Sequence, residues 1–166
     1  MVQSLEEVAK ALNLPIQDPK DFPLDCYVAV KPEDLLDVVK KLKADYGVHH
    51  LSVIIALEAD DGYHLFYPIS VALEDGTWGK LILDVTVNKA DPVVDSLTPE
   101  IPGAVFYERE AYDMIGVRFR NLADHRRLLS ADIMPPDLFP LKKEYSYEDV
   151  RDRLAEEANK RSEELE

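Results

Sequence analysis

The chain has 166 residues, 46% of them hydrophobic, with 33 acids against 19 bases. This length and composition suit one compact domain with a real core, and no apolar run approaches the roughly 18 residues needed to cross a bilayer. The net charge of −14 argues against nucleic acid and anionic membrane surfaces as partners. Cys26 is the only cysteine, which excludes an internal disulfide or a self-contained four-cysteine cluster. Within CYVAV it reads as a buried, inert thiol. The first residues, MVQSLEEVAKAL, lack a basic start followed by an apolar stretch, so no signal peptide is expected and the setting is read as intracellular. Six Asn and Gln residues and 31% charged residues hint at a hot-living source.

Ser4-Leu5-Glu6-Glu7 is a capping box, and Leu5, Val8, Ala9 and Leu12 follow at helical spacing, which predicts a short helix over 5–12. Asn13–Pro23 contains Pro15, Pro19 and Pro23 and reads as an irregular connection. Cys26–Val30 reads as a strand. Pro32 suits the first turn of a second helix, with Leu35, Leu36, Val38, Val39 and Leu42 on one side and Gly47 placed to end it. Three strand-like runs follow: Val48–Glu58, Tyr63–Leu73 and Lys80–Val87. They are separated by two Asp-Gly turns, at Asp61-Gly62 and Asp75-Gly76, which signal hairpins. Pro68 suggests an edge or a bulge. The predicted fold is therefore a two-layer α+β domain over residues 1–129, with a mostly antiparallel sheet of about four to five strands and helices on one face.

Beyond Asp91-Pro92, residues 105–114 read as a helix ended by Gly116, and 117–119 as a short strand. Ser130–Lys143, with Pro135, Pro136 and Pro140, reads as extended and stiff. Tyr147–Glu166 reads as a charged C-terminal helix with a thin apolar stripe at Val150, Leu154, Ala158 and Leu165.

The most informative stretch is FYEREAYDMIGVRFRNLADHRRLL, residues 106–129, where charges and large apolar residues interleave closely. Residues 105–145 hold seven acids and seven bases, so the whole excess of negative charge lies outside them. A charge-balanced segment is easier to bury, which marks this window as a contact region. Glu108, Glu110 and Asp113 could in principle form a metal or acid–base site. Arg109 lies among them, however, and no further ligand follows at metal-site spacing, so an Arg–carboxylate network is the preferred reading. His49 and His50 point to opposite faces of a strand and do not chelate together. Neither nucleotide fingerprint nor a hydrolase elbow occurs. The residues thus describe a binding or structural module without a catalytic, cofactor or metal site of its own. A free-standing acidic adaptor, docking through its C-terminal helix, is the alternative.

The 106–129 segment resembles the 30 kDa subunit of complex I, NADH:quinone oxidoreductase, and its relatives in energy-converting membrane-bound [NiFe]-hydrogenases. That family's pattern runs Glu-Arg-Glu-x-x-Asp-apolar-apolar-Gly, then a His-Pro-Asp-Leu-Arg-Arg stretch closed by two apolar residues. The matching positions here are Glu108, Arg109, Glu110, Asp113, Met114, Ile115, Gly116, Asp124, Arg126, Arg127, Leu128 and Leu129. Leu122 stands where the usual His falls, and His125 where Leu is usual. The downstream His-Pro-Leu-Arg-Lys-Asp corresponds to Phe139-Pro140-Leu141-Lys142-Lys143-Glu144.

The resemblance implies a structural subunit, peripheral to the inner face of the membrane, that packs on a hydrogenase-like or 49 kDa-like large subunit and on other peripheral-arm subunits. It implies no cofactor in this chain, with [NiFe] and Fe–S clusters in partner subunits. The departures at Leu122 and Phe139 favour a ferredoxin-linked hydrogenase over an NADH–quinone or sulfur-reducing relative. The expected interface or ion-pair residues are Glu108, Arg109, Glu110, Asp113, Gly116, Arg126, Arg127, Lys142 and Lys143. Glu108 and Glu110 are expected to accept from basic groups, within this chain or across the interface.

Overall fold

The computed structural model describes residues 4–17, 25–48, 50–130 and 132–163. His49, Leu165 and the Pro19–Pro23 part of the first connection lie outside the described residues. Helix α1 spans Leu5–Ala11; the Ser4 hydroxyl accepts the Glu7 N–H at 3.3 Å, and Leu5, Val8 and Ala9 are buried. Helix α2 spans Leu35–Tyr46 and buries Leu35, Val38, Val39 and Leu42. It ends at Gly47, whose left-handed backbone a glycine adopts without penalty.

The main sheet has six strands: β1 Ile16–Gln17, β2 Asp25–Ala29, β3 His50–Leu51, β4 Ile55–Glu58, β5 Tyr63–Ala72 and β6 Trp78–Val87. Their order is β1-β2-β6-β5, and β5's free side is shared by β3 and β4. All pairings are antiparallel except β2–β6. Both Asp-Gly sites form the expected hairpins, β4–β5 and β5–β6. β6 begins at Trp78, two residues before the expected Lys80.

The run Val48–Glu58, expected as one strand, is broken into β3 and β4. Leu51 pairs with Ile69 and Ile55 with Phe66, so three residues on one side face Tyr67 and Pro68 on the other. That is a bulge opposite the proline, which has no N–H for the ladder; the Pro68 carbonyl still accepts the Ser52 N–H at 3.0 Å. β5 lies inside the sheet, so Pro68 marks a bulge and not an edge.

Side-chain alternation divides the sheet. Leu65, Tyr67, Ile69 and Val71 of β5 and Leu81, Leu83, Val85 and Val87 of β6 form the core with α1 and α2. Leu5 packs directly on Gly79, where an added Cβ would sit 2.8 Å from its side chain. The opposite face carries Ile55, Leu57, Trp78 and His64, whose ring bonds Asp84 and Asp61 at 3.1 Å each.

A second, unexpected sheet pairs β7 (Val93–Asp95) with β8 (Arg118–Arg120) in parallel. Helix α3 (Ala104–Ile115) connects them, since parallel neighbours require a long crossover. The stretch Ser130–Lys143, expected extended, instead forms successive turns from 132 on, with Leu138 N–H to Pro135 C=O at 3.1 Å and Lys142 N–H to Phe139 C=O at 3.1 Å. The prolines stiffen single positions, while carbonyl-seeking donors from elsewhere curl the path between them.

Helix α4 (Tyr147–Glu163) starts on a reciprocal capping box. Ser146 Oγ accepts from Asp149 N–H at 3.2 Å, and Asp149 Oδ2 accepts from Ser146 N–H at 2.8 Å. α4 buries no residue, and its stripe at Val150, Leu154 and Ala158 is half-covered. Arg153 to Asp137 at 2.7 Å and Arg161 to the Asp132 carbonyl at 2.6 Å tie α4 to the turn segment.

Candidate functional site

Helix α3 presents its charged residues in three directions. Helical periodicity turns Ala104, Glu108, Ala111 and Ile115 toward the core, places Arg109, Tyr112 and Asp113 over the following loop, and leaves Phe106 and Glu110 outward.

Asp113 is the hub, with no solvent exposure. Its Oδ1 accepts from Arg127 at 2.9 Å, while Oδ2 accepts the N–H groups of Leu128, Leu129 and Ser130 at 3.1, 2.7 and 2.8 Å. Burial pushes this carboxyl's pKa up, but the Ser130 and Leu129 donors and Arg127 outweigh it, so the pKa lies below the usual carboxylate value.

Arg127 continues outward from that pair, donating to the carbonyls of Leu138, Pro135 and Pro136 at 3.1, 3.1 and 3.0 Å. Its guanidinium also lies over the Phe139 ring, 5.2 Å from the centroid. One side chain therefore staples α3 to the turn segment. Arg109 does the same for the loop before it, donating to the carbonyls of Arg126 and Arg127 at 2.7 and 3.0 Å and pairing with Asp124 at 3.2 Å.

Glu108 departs from expectation. It is fully buried and accepts from Ser96 Oγ at 2.7 Å and Leu97 N–H at 2.6 Å, not from a basic group. Burial raises its pKa from 4.5 to about 7, against the opposing pull of those two donors. Tyr67 of β5 is buried nearby with its hydroxyl unpartnered among the described residues, and burial followed by the Glu108 charge raises its pKa. Glu110 is exposed and has no ion-pair or hydrogen-bond partner among the described residues, which leaves its carboxylate open to a base across an interface.

The remaining predicted residues have distinct positions. Gly116 ends α3 with φ +80°, and an added Cβ would lie 3.0 Å from the Phe139 ring. Gly116→Ala should therefore destabilise the fold by at least ~1–2 kcal/mol through left-handed strain and this close approach; urea unfolding midpoints measure the loss. Arg126 is mostly exposed and forks onto Asp124 at 2.9 and 2.8 Å. Lys142 lies over Phe139, with its Nζ 5.0 Å from the centroid. The Lys143 N–H is held by Glu58 at 2.9 Å.

Asp124 and Phe139, both within the motif stretches, join the network, and Ser96, Leu97 and Ser130 belong to it from outside the motif. Nothing local in the sequence marks Ser96, Leu97 and Ser130, because they meet α3 only after folding. No group of three or more His, Cys, Asp or Glu is placed to hold a metal among the described residues. No helix among them is long and apolar enough to cross a membrane.

Comparisons with known proteins agree with the motif. The family model "Respiratory-chain NADH dehydrogenase, 30 Kd subunit" matches residues 28–151. The chain is 31% identical to the NADH-quinone oxidoreductase C subunit of Trichlorobacter lovleyi over 150 residues, covering 86% of this chain and 88% of that protein. It is 35% identical over 120 residues to formate hydrogenlyase subunit 5 of Escherichia coli, covering 70% of this chain but only 21% of that longer protein. A chain of the membrane-bound sulfane sulfur reductase, an archaeal respiratory membrane complex, superposes with a TM-score of 0.66 at 15% identity over 86% of this chain and 84% of that one, a likeness of fold. With its signature residues gathered around α3 and a family match over most of its length, the chain belongs to the respiratory-chain NADH dehydrogenase 30 kDa subunit family.

Proposed function

We propose that the chain is a non-catalytic structural subunit in the peripheral arm of a membrane-associated, complex-I-like redox complex. The observation that carries this reading is how the family's charged residues are used. Asp113, Arg109 and Arg127 lock α3, the 121–130 loop and the 132–143 turns together. The same segments leave Phe106, Leu129 and Leu141 each more than half exposed. Rigid segments that display apolar side chains are what a packing subunit requires.

The hydrogenase-linked form is preferred, with this chain on the cytoplasmic side, buttressing a hydrogenase-like large subunit. The [NiFe] centre and Fe–S clusters would reside in partner subunits, electrons would come from ferredoxin, and H2 evolution would be coupled to ion pumping. The likeness to formate hydrogenlyase subunit 5 supports this choice. A second reading, the 30 kDa subunit of an NADH–quinone complex, is favoured by the match that spans nearly the whole of both chains. Reduced ferredoxin yielding H2 from the isolated complex supports the first reading; quinone reduction supports the second.

Arg109→Ala should impair assembly of the complex more than the turnover of complexes that do form, because Arg109 shapes the loop carbonyls and contacts no reacting atom. Native gels with activity staining measure both; normal assembly with lost turnover would overturn the structural role.

A further inference from the structure

A cavity of about 290 Å³ opens between α3, β8 and the loop that follows, lined by Arg109, Tyr112, Arg118, Phe119, Leu122 and His125. Phe119 and Leu122 are buried and, with half-buried Tyr112, supply an apolar floor. The other three lining residues are basic, and no carboxylate lines the cavity, although the chain has 33 acids and 19 bases.

The basic groups differ in availability. Arg109 is held on three sides by the Arg126 and Arg127 carbonyls and Asp124, so it is a fixed wall. Arg118 is bonded to Asp91 through one nitrogen, which leaves further N–H donors on its five-donor fork. His125 is exposed and has no hydrogen-bond or ion-pair partner among the described residues. Leu122 and His125 are also positions at which the chain departs from the family pattern, and both line this one cavity. Leucine at 122 makes the floor apolar, and histidine at 125 adds a polar ring to the rim.

An apolar floor beneath a cationic rim suits a carboxylate attached to an apolar body. Arginine gives charge-assisted bonds to the carboxylate, and the floor accepts the hydrocarbon. We propose that the cavity receives an acidic–apolar segment of a partner chain, seating an aromatic or aliphatic side chain on Tyr112, Phe119 and Leu122 with its neighbouring carboxylate against Arg118 and His125. This rests on the subunit role proposed above and adds the chemistry by which one contact is chosen. The complementarity is electrostatic as well as steric, because the rest of this acidic chain repels such a segment.

Phenylacetate and its uncharged isostere phenylacetamide probe the cavity in the full-length chain by NMR. The acid should bind at least about tenfold more tightly than the amide and shift the Arg118 and His125 side-chain signals. The Arg118→Gln/His125→Gln double variant should fold with an unchanged melting temperature, since exposed pairs contribute little. It should bind the acid no better than the amide and should leave the isolated native complex at lower salt than wild type. Equal binding of acid and amide, or no binding, overturns the proposal. So does a double variant retained at wild-type salt, which would leave only an adventitious small-molecule site. In these cases a wild-type chain still found in the complex keeps the subunit reading intact. A wild-type chain absent from any multisubunit assembly overturns the subunit reading and this proposal together.

Discussion

Asp113→Ala should destabilise the protein by about 3–5 kcal/mol, the usual cost of removing one partner of a buried charge pair. The substitution removes all four hydrogen bonds that the Asp113 carboxylate accepts, three from backbone N–H groups and one from Arg127. Arg127, whose side chain is only 16% exposed, is then left without its carboxylate. Denaturant unfolding measures the loss, and amide exchange at residues 128–130 should accelerate before that of the main sheet. Arg127→Ala should cost less than the sum expected for independent sites, and a double-mutant cycle should return a coupling of roughly 1–3 kcal/mol. A loss under about 1 kcal/mol for Asp113→Ala would show that the loop holds its shape without the hub. Because the Asp113 pKa is held below its ordinary value, its contribution is present at neutral pH and falls away as pH drops through that lowered pKa.

Glu108 should produce the opposite pH dependence. Its pKa in the fold is about 7 against an ordinary 4.5. The folded state therefore binds the proton more tightly than the unfolded chain. This contribution is fully present below about pH 4.5 and is lost as pH rises through about 7. At roughly 1.4 kcal/mol per unit, the difference amounts to about 3 kcal/mol. Glu108→Gln copies the protonated form: its carbonyl still accepts from Leu97, and its amide donates to Ser96 Oγ. At pH 5 the variant should match wild type to within about 1 kcal/mol, and at pH 8.5 it should be more stable by about 3 kcal/mol. Comparing the two proteins at each pH cancels every other titrating group. Parallel stability curves from pH 5 to 8.5 would show that Glu108 is ionised in the fold throughout.

These two carboxylates lie five residues apart on one helix, are equally inaccessible, and are indistinguishable in the sequence. Sequence spacing marks both as members of one charged network, but only Asp113 has an arginine partner, Arg127, while Glu108 is held by Ser96 and Leu97. Spacing cannot assign partners, because Ser96 and Leu97 reach Glu108 from the end of β7, while Ser130 and Arg127 reach Asp113 from the opposite side. The β7 strand is illegible for a related reason. Three residues after a proline give too short a pattern to read, and the strand exists because α3 returns the chain beside it as β8. The split of residues 48–58 is announced by Pro68, a proline in the neighbouring strand, and only the pairing register shows which strand yields.

Sequence alone is enough for the presence of helices α1 and α2, though α2 starts at Leu35 and leaves Pro32 in the turn before it, and for the two Asp-Gly hairpins, the glycine stop of α3, the α+β class and the family motif. All of these depend on contacts within a few residues, where capping, periodicity and left-handed glycine geometry act. The parallel β2–β6 pairing, the turns of residues 132–144, the neutralisable burial of Glu108 and the meeting of Leu122 with His125 in one cavity required the assembled fold. Each depends on which groups lose water together. Desolvation is set by neighbours distant in sequence, so the same carboxylate becomes an anion anchored by N–H groups at Asp113 and a proton holder at Glu108.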